Sequence, residues 1–168
     1  RALTRLKSVF VTLDKDFTSR GAYYRKKWND FFSPAFTDNV YNPKGEFEFH
    51  MQIGSKLFPE YPIRSHSEAF YQLKKCLGVQ ASPLHNFDVS GMDYRSNKLI
   101  IGIDCEKVLE AGWTGLNTRA GDLLVIKLKY LQGLALAQVG DRGAQRMRIV
   151  LHSDQILEIR DTGCTVFD

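Results

Sequence analysis

The chain lacks the cysteine pattern of a disulfide-stapled protein and the long apolar run of a membrane helix. It has three cysteines, Cys76, Cys105 and Cys164, and no Cys-x-x-Cys pair. An odd count without such a pair predicts reduced, partly buried thiols. No apolar run approaches the roughly 20 residues that span a bilayer, and no signal peptide is recognisable. We therefore expect neither a disulfide framework nor a membrane span.

Motifs of the common catalytic sites are also missing. There is no Gly-x-Ser-x-Gly, no His-x-His or His-Glu-x-x-His, and no Gly-rich phosphate loop. Cys105 lies between two acidic residues, which raise a thiol pKa and disfavour a nucleophile. Glu46 and Glu48 point the same way on one strand and could serve a glycosidase, although a solvated sheet face explains them more simply. We expect a protein that is not an enzyme and that has no cofactor.

One short run, His152-Ser153-Asp154, keeps a metal enzyme among the alternatives. Many iron oxygenases begin their metal site with His-x-Asp on a strand and complete it with a second histidine several strands later. Here no histidine follows Asp154, and the other three histidines all lie upstream. We therefore interpret His152 as an outward-facing strand residue and expect no metal site, with a non-haem iron oxygenase as the third-ranked function.

The chain has a mild basic excess, with a formal net charge of +4 and a pI near 9.0. Such a charge permits contact with phosphate or acidic surfaces without requiring it. Basic residues interleaved with aromatic ones can bind single-stranded nucleic acid, but an arm that packs its aromatic residues on a neighbour explains the pattern more simply. The densest such patch is Arg25, Lys26 and Lys27, flanked by Tyr23, Tyr24 and Trp28.

Period-two alternation predicts that most of the chain forms strands. The segment 45–55 is the clearest, and further strands are predicted over 6–15, 97–107, 122–131 and 145–155, with one strand or two short ones around Gly163 in 156–168. In 45–55 the apolar face is Phe47, Phe49, Met51 and Ile53; in 122–131 it is Leu124, Ile126, Leu128 and Tyr130; in 145–155 it is Met147, Ile149 and Leu151.

One segment changes to helical spacing. In 65–78, Ser65 and Glu68 form a capping box, and Gly78 is a suitable C-terminal cap. The helix is predicted to cover an edge or end of the sheet. Together these patterns predict a single mainly β domain over 1–168, an antiparallel β-sandwich of jelly-roll type with one short amphipathic helix.

The segment 18–39 has neither period and is predicted to be a long loop or arm. It carries more apolar surface than a loop exposes alone, so it is expected to lie on a neighbouring subunit. The loop 113–122 is either an ordinary loop or a second subunit contact, since Trp and Arg are typical of interface hot spots. The predicted subunit interface is Tyr23, Tyr24, Trp28, Phe31, Phe32, Trp113 and Arg119.

The run KLIIGIDCEKVLEAGWTGLNTRAGDLLVIKLKYL, followed by IVLHSDQILEIRDTGCTVFD, resembles the C-terminal region of a viral family. These are the jelly-roll major capsid proteins of Polinton and adintovirus type. The resemblance covers roughly 97–168 and rests on three elements, Ile101 to Asp104, Gly115 to Thr118, and His152 to Ile156. The segment 57–78 is similar in character.

The resemblance implies a structural capsid protein that self-assembles into homo-oligomeric capsomers. It implies a location in the virion after assembly in the host cytoplasm or nucleus, contact with other capsid proteins or the genome, and no catalytic residues. The length accommodates one jelly roll. With Arg1 in place of Met, we expect a fragment of a longer double jelly roll or a single-roll relative, so a trimer, a pentamer and other rings stay open. The alternative is a monomeric β-sandwich module that binds carbohydrate or nucleic acid through the aromatic residues near Arg25.

Overall fold

The structure is a computed structural model that describes residues 3, 5–14, 31, 33–34, 36–37, 40–41, 47–78, 88–106, 115–118, 123–130 and 146–167. Its strands pair antiparallel throughout, which confirms the predicted mainly β class. The elements are β1 Leu6–Asp14, β2 Phe36–Thr37, β3 Val40–Tyr41, β4 Phe47–Ile53, β5 Lys56–Ile63, α1 His66–Cys76, α2 Gly91–Ser96, β6 Ile100–Asp104, β7 Leu124–Tyr130, β8 Arg146–Ser153, β9 Ile156–Arg160 and β10 Gly163–Phe167.

Two three-stranded sheets form the body of the fold, with strand orders β6-β1-β8 and β5-β4-β7. Two hairpins, β2-β3 and β9-β10, complete the described strands. The β2 strand lies inside the predicted arm 18–39 and pairs with β3 just beyond it. The rest of that arm, apart from residues 31 and 33–34, lies outside the described residues.

One buried cluster takes side chains from both three-stranded sheets. The β1 strand contributes Val9 and Val11, and β4 contributes Phe47, Phe49 and Met51, all fully buried. Alternation explains the arrangement, because every second side chain of a strand points to the same face. Two sheets that share one apolar core are consistent with a β-sandwich. The jelly-roll connectivity stays a prediction.

The predicted helix is confirmed as α1. The Ser65 side chain accepts a hydrogen bond from the Glu68 amide at 3.1 Å, as a capping box requires. Gly78 follows the helix with φ +67°, a left-handed value that favours glycine. The helix lies close against β6. A Cβ placed on Gly102 would lie only 2.9 Å from Leu73 Cδ1. Since α1 also follows β5 directly, it connects the β5 and β6 edges of the two sheets.

The predicted number of helices was wrong, and three of the described strands were not predicted: the two-residue β2 and β3, and the longer β5. The second helix, α2, is capped by Ser90, whose side chain accepts from the Asp93 amide at 3.1 Å. That Ser-x-x-Asp spacing is a helix-start signal that could have been found. The longest of the strands that were not predicted, β5, contains Pro59 and Pro62 and pairs with β4 at a sheet edge. Prolines argue against a central strand but are tolerated at an edge.

Candidate functional site

Three elements singled out in the sequence meet near the start of β1: Ile101 to Asp104, Gly115 to Thr118, and His152 to Ile156. Ile101 to Asp104 pairs with β1 on one side, and the end of β8 pairs with it on the other. Leu116 exchanges two backbone hydrogen bonds with Leu6, at 3.0 and 2.9 Å. Gly115 is required there, because its φ is +148° and a Cβ would lie 2.8 Å from the Arg5 carbonyl carbon. These segments are therefore held together by contacts within the chain.

Lys7 joins the two flanks of β1 through ion pairs. Its ammonium lies 3.2 Å from a carboxylate oxygen of Glu106, after β6, and 2.9 Å from one of Asp154, after β8. The Asp154 and Glu106 carboxylates raise the pKa of Lys7 above its usual value. All three side chains are partly exposed, at 24 to 31%. This cluster is suited to fixing strand ends, since it holds one cation between two anions.

His152 and Asp154, the two residues of the metal hypothesis, contact different partners. Nδ1 of His152 lies 3.1 Å from the Ser8 hydroxyl oxygen, whereas Asp154 binds Lys7. Within the described ranges, no three His, Cys, Asp or Glu side chains are grouped so that they could hold a metal ion. The arrangement favours a sheet-edge role for the pair.

His66 is buried in a polar contact at the start of α1. Ser33 donates its only hydroxyl hydrogen to the Arg95 carbonyl at 2.6 Å. Its oxygen lies 3.1 Å from His66 Nε2, so that nitrogen is suited to donate a hydrogen bond to Ser33. The ring packs edge-on against Phe47, 5.0 Å between centroids. Burial, with the nearby Arg95 charge, lowers the pKa of His66 to about 4.

Two of the three thiols are poor nucleophiles. Burial raises the pKa of Cys76 to about 11 and that of Cys105 to about 12. The sequence analysis attributed the effect at Cys105 to its acidic neighbours, but the structure makes burial the larger cause and the Asp104 carboxylate the second. Cys164 is exposed on β10. It is the thiol that reagents in solution reach.

Exposed apolar side chains concentrate at the C-terminus. Fifteen large apolar residues are exposed among the described ones, and nine of them lie on β8, β9 and β10. Soluble monomers rarely leave large apolar residues contiguous at the surface. We call these nine the C-terminal apolar surface: Met147, Ile149, Val150, Leu151, Ile156, Leu157, Ile159, Val166 and Phe167.

Part of this surface belongs to the face that points toward the core. In the β1–β8 register, Leu151 lies opposite Val9 and Ile149 opposite Val11, and directly opposed side chains share a face of the sheet. The two valines are fully buried, yet Ile149 is 43% and Leu151 38% exposed. The predicted face of β8 is confirmed, but it is not covered as a core face would be.

The β9-β10 hairpin carries five of the nine residues of the C-terminal apolar surface. Its register pairs Leu157 with Val166 and Ile159 with Cys164, so these four side chains share one face. All four are exposed, Ile159 at 72%. The opposite face carries a Glu158–Arg160 ion pair at 2.6 Å. A two-stranded hairpin is marginal in water by itself, so an uncovered apolar face on one indicates a missing contact.

The predicted interface residues fall almost entirely outside the described part of the chain. Phe31 is half-buried, and its amide donates to the Asn97 carbonyl at 2.6 Å, a contact within the chain just after α2. Its role at an interface stays a prediction. Tyr23, Tyr24, Trp28, Phe32, Trp113 and Arg119, with Arg25, Lys26 and Lys27 of the proposed nucleic-acid patch, lie outside the described residues.

Sequence reasoning missed the C-terminal apolar surface as a candidate interface. A signal was present in the consecutive apolar residues 149–151, because three in a row place apolar side chains on both faces of a strand. A strand with two apolar faces needs cover on both sides. The alternation of Met147, Ile149 and Leu151 predicts only the face that points toward the core.

In the comparisons with known proteins, no protein-family model, curated protein or solved structure matches this chain. Neither helix in the described ranges is long and apolar enough to cross a membrane.

Proposed function

We propose that the protein is a structural subunit that self-assembles into the shell of a virus or a virus-like element. The observation that carries the proposal is the C-terminal apolar surface, nine exposed residues on three successive strands. The resemblance of residues 97–168 to jelly-roll capsid proteins supports the same role. So does the mainly antiparallel β fold, since capsid jelly rolls are built from such strands.

The size of this surface fits a subunit contact. A large apolar residue has roughly 150–200 Å² of accessible surface, so nine residues about half exposed present roughly 700–900 Å². The largest apolar patch on a typical monomer covers about 300–600 Å². A standard protein–protein interface buries about 800 Å² on each partner. Because Val150, Ile156 and Phe167 lie on the opposite faces of their strands, this area is divided among several patches. Together the patches are large enough for the contacts of a subunit that has more than one neighbouring copy.

The polar groups support a structural role as well. Lys7 is engaged by Glu106 and Asp154, His152 lies beside Ser8, and His66 is buried against Ser33. Each of these groups stabilises a junction between elements of the fold. A catalytic site would instead aim such groups into a cleft where a substrate can reach them.

The test is the mass of the purified chain in solution, measured by light scattering after size exclusion over a range of concentrations, with electron microscopy of the same fractions. We expect a discrete oligomer, ring or closed particle. A monomer at every concentration would overturn the proposal. That monomer would then be titrated with glycans and with single-stranded nucleic acid, where saturable binding would favour the β-sandwich binding module.

A further inference from the structure

Two apolar faces of this chain are left uncovered, and they lie on neighbouring elements. The first, called the β8 face, consists of Met147, Ile149 and Leu151, which point toward the core side of the sheet. The second, called the hairpin face, consists of Leu157, Ile159, Cys164 and Val166 on β9 and β10.

The chain does not use one face to cover the other. Only Asp154 and Gln155 separate β8 from β9, and among the described strands β8 pairs with β1 while β9 pairs with β10. Both faces are exposed side by side in the same chain.

We propose that the hairpin face of one copy packs on the β8 face of a second copy. The proposal rests on the self-assembly proposed above and names the surface that makes the contact. A second copy is the partner that the geometry favours, because every copy has both an exposed β8 face and an exposed hairpin face. The two faces together contain six of the nine residues of the C-terminal apolar surface. A reciprocal exchange buries both faces of each copy, roughly 450–600 Å² of apolar surface, which approaches the about 800 Å² per partner of a standard interface, whereas a single head-to-tail contact buries about half of that area on each side.

The chemistry of the contact resembles the inside of the sandwich. The β8 face brings methionine, isoleucine and leucine side chains to the contact, and the hairpin face brings leucine, isoleucine, valine and cysteine. The charged residues Glu158 and Arg160 lie on the opposite face of the hairpin, in their own ion pair. The contact therefore buries no charge from the hairpin, which is the pattern of an interface centre. Docking the hairpin would complete the core beside Val9 and Val11.

The symmetry follows from the use of two different faces. A contact between unlike surfaces repeats head to tail, as a ring where the rotation closes and as a filament where it does not, or two copies exchange hairpins reciprocally and close as a pair. Either assembly leaves every β8 face occupied by a hairpin from another copy. The mass of the wild-type assembly distinguishes the two.

Two matched variants and a control test the contact. Ile159→Lys places a charge on the hairpin face, and Ile149→Lys places one on the β8 face. Lysine is chosen because its aliphatic stem can lie along apolar surface while its ammonium reaches water, which favours a folded monomer. Leu123→Lys is the control, since Leu123 is 74% exposed against 72% for Ile159 and lies just before β7. Circular dichroism establishes that each variant is folded.

We expect each single variant to weaken association at least about tenfold, a shift that light scattering over a dilution series resolves. The control should assemble like the wild type. An equal mixture of the two variants should give a two-chain complex. In that mixture the Ile149→Lys chain supplies an intact hairpin face and the Ile159→Lys chain an intact β8 face, so one contact survives.

The wild-type chain carries its own probe of the contact. Cys164 lies on the hairpin face and is exposed, whereas Cys105 is buried and Cys76 partly buried with a raised pKa. The rate of maleimide labelling at Cys164 should fall about tenfold when about 90% of the chains are associated, following mass action. Dilution should restore it. The Leu123→Lys control should show the same protection.

Each other outcome has a separate meaning. Single variants that assemble like the wild type would overturn this contact while leaving self-assembly intact. Single variants that are monomeric and stay so when mixed would show that an intact hairpin face does not bind an intact β8 face, which also overturns it. Cys164 protected at every dilution would mean that the chain covers its own hairpin. A monomeric wild type would end both proposals. If Ile149→Lys does not fold, Met147→Lys, at the start of β8, replaces it.

Discussion

The two edges of the β6-β1-β8 sheet differ in what covers them, although both flank the same central strand. Val9 is paired with Ile103 on one side and Leu151 on the other. These neighbours share a face, yet Ile103 is 2% and Leu151 38% exposed. The same contrast recurs around Val11. Register decides which way a side chain points, but coverage depends on what else reaches that side of the sheet.

The β6 edge is covered because two helices pack there. Leu73 of α1 lies directly over Gly102, where a larger residue would not fit. Tyr94 of α2 is buried and donates its hydroxyl hydrogen to the Ile100 carbonyl at 2.7 Å. At the β8 edge, the next element along the chain is the C-terminal hairpin, whose apolar face is exposed. One edge is completed within the chain, and the other presents its apolar residues to solvent.

The largest expected difference between the edges comes from truncating equivalent isoleucines. Ile101→Ala should lower the free energy of unfolding by about 2–5 kcal/mol, because a fully buried isoleucine leaves a cavity. Ile149→Ala should cost about 1 kcal/mol, since the side chain is already 43% exposed. Urea unfolding in the Ile159→Lys background, where association does not contribute, measures both. Equal losses would mean that the chain covers its own β8 face in solution.

Acidification should act on the covered side through His66. The unfolded chain binds a proton there near pH 6.5 and the folded chain only near pH 4, so stability is full above about pH 6.5 and falls as the pH drops toward 4. The total change is about 3 kcal/mol. His66→Gln keeps a donor for Ser33 and removes the titration. The difference in unfolding free energy between wild type and variant should change across this window; a constant difference would contradict the assignment.

Gly102→Ala tests how closely α1 lies against β6. The new methyl group would lie 2.9 Å from Leu73 Cδ1 and 3.3 Å from its Cα, so helix or strand must move. We expect a loss of about 1–3 kcal/mol. Gly91→Ala is the matched control, because nothing lies within 4 Å of its Cβ position at the start of α2. It should be neutral or stabilising by up to about 1 kcal/mol, and thermal denaturation compares the two.

The smallest effect is expected at the ion cluster that joins both edges. Lys7→Met removes the cation between Glu106 and Asp154 and should cost no more than about 1 kcal/mol, since the groups are partly exposed. The loss should shrink in high salt. Lys129→Met is the control, because that ammonium is 3.9 Å from Glu48 and largely exposed. Its unfolding free energy should be unchanged, and a salt-independent loss at Lys7 would argue against an electrostatic cause.

Local signals predicted much of this fold. Alternation located β4, β7 and β8 and their apolar faces, β-branched and aromatic composition located β1, and the Ser65–Glu68 capping box located α1. The strand β5 was missed because prolines weaken the strand pattern, and α2 because it is only six residues long. Both failures have a local cause, since prolines weaken the strand pattern in β5 and the six residues of α2 are too few to show a helical period.

The candidate site was predicted less well than the fold. The sequence analysis placed subunit contacts in the arm and in the loop around Trp113, which the structure leaves untested. The C-terminal apolar surface was not predicted, because alternation in 145–155 looks the same whether the apolar face is covered or open. Exposure of Ile149 depends on segments far away in sequence, and no local pattern reports it.

The sequence by itself determined where the alternating strands β4, β7 and β8 run, which face of each is apolar, and where α1 begins and ends, because these follow from side-chain period and capping over a few residues. Tertiary structure alone decided that α1 covers β6 and that the β8 face stays open. It also decided that Lys7 meets Glu106 and Asp154, and that burial governs the pKa values of His66 and Cys105. These properties depend on which distant segments come together, and desolvation and packing act only once they have.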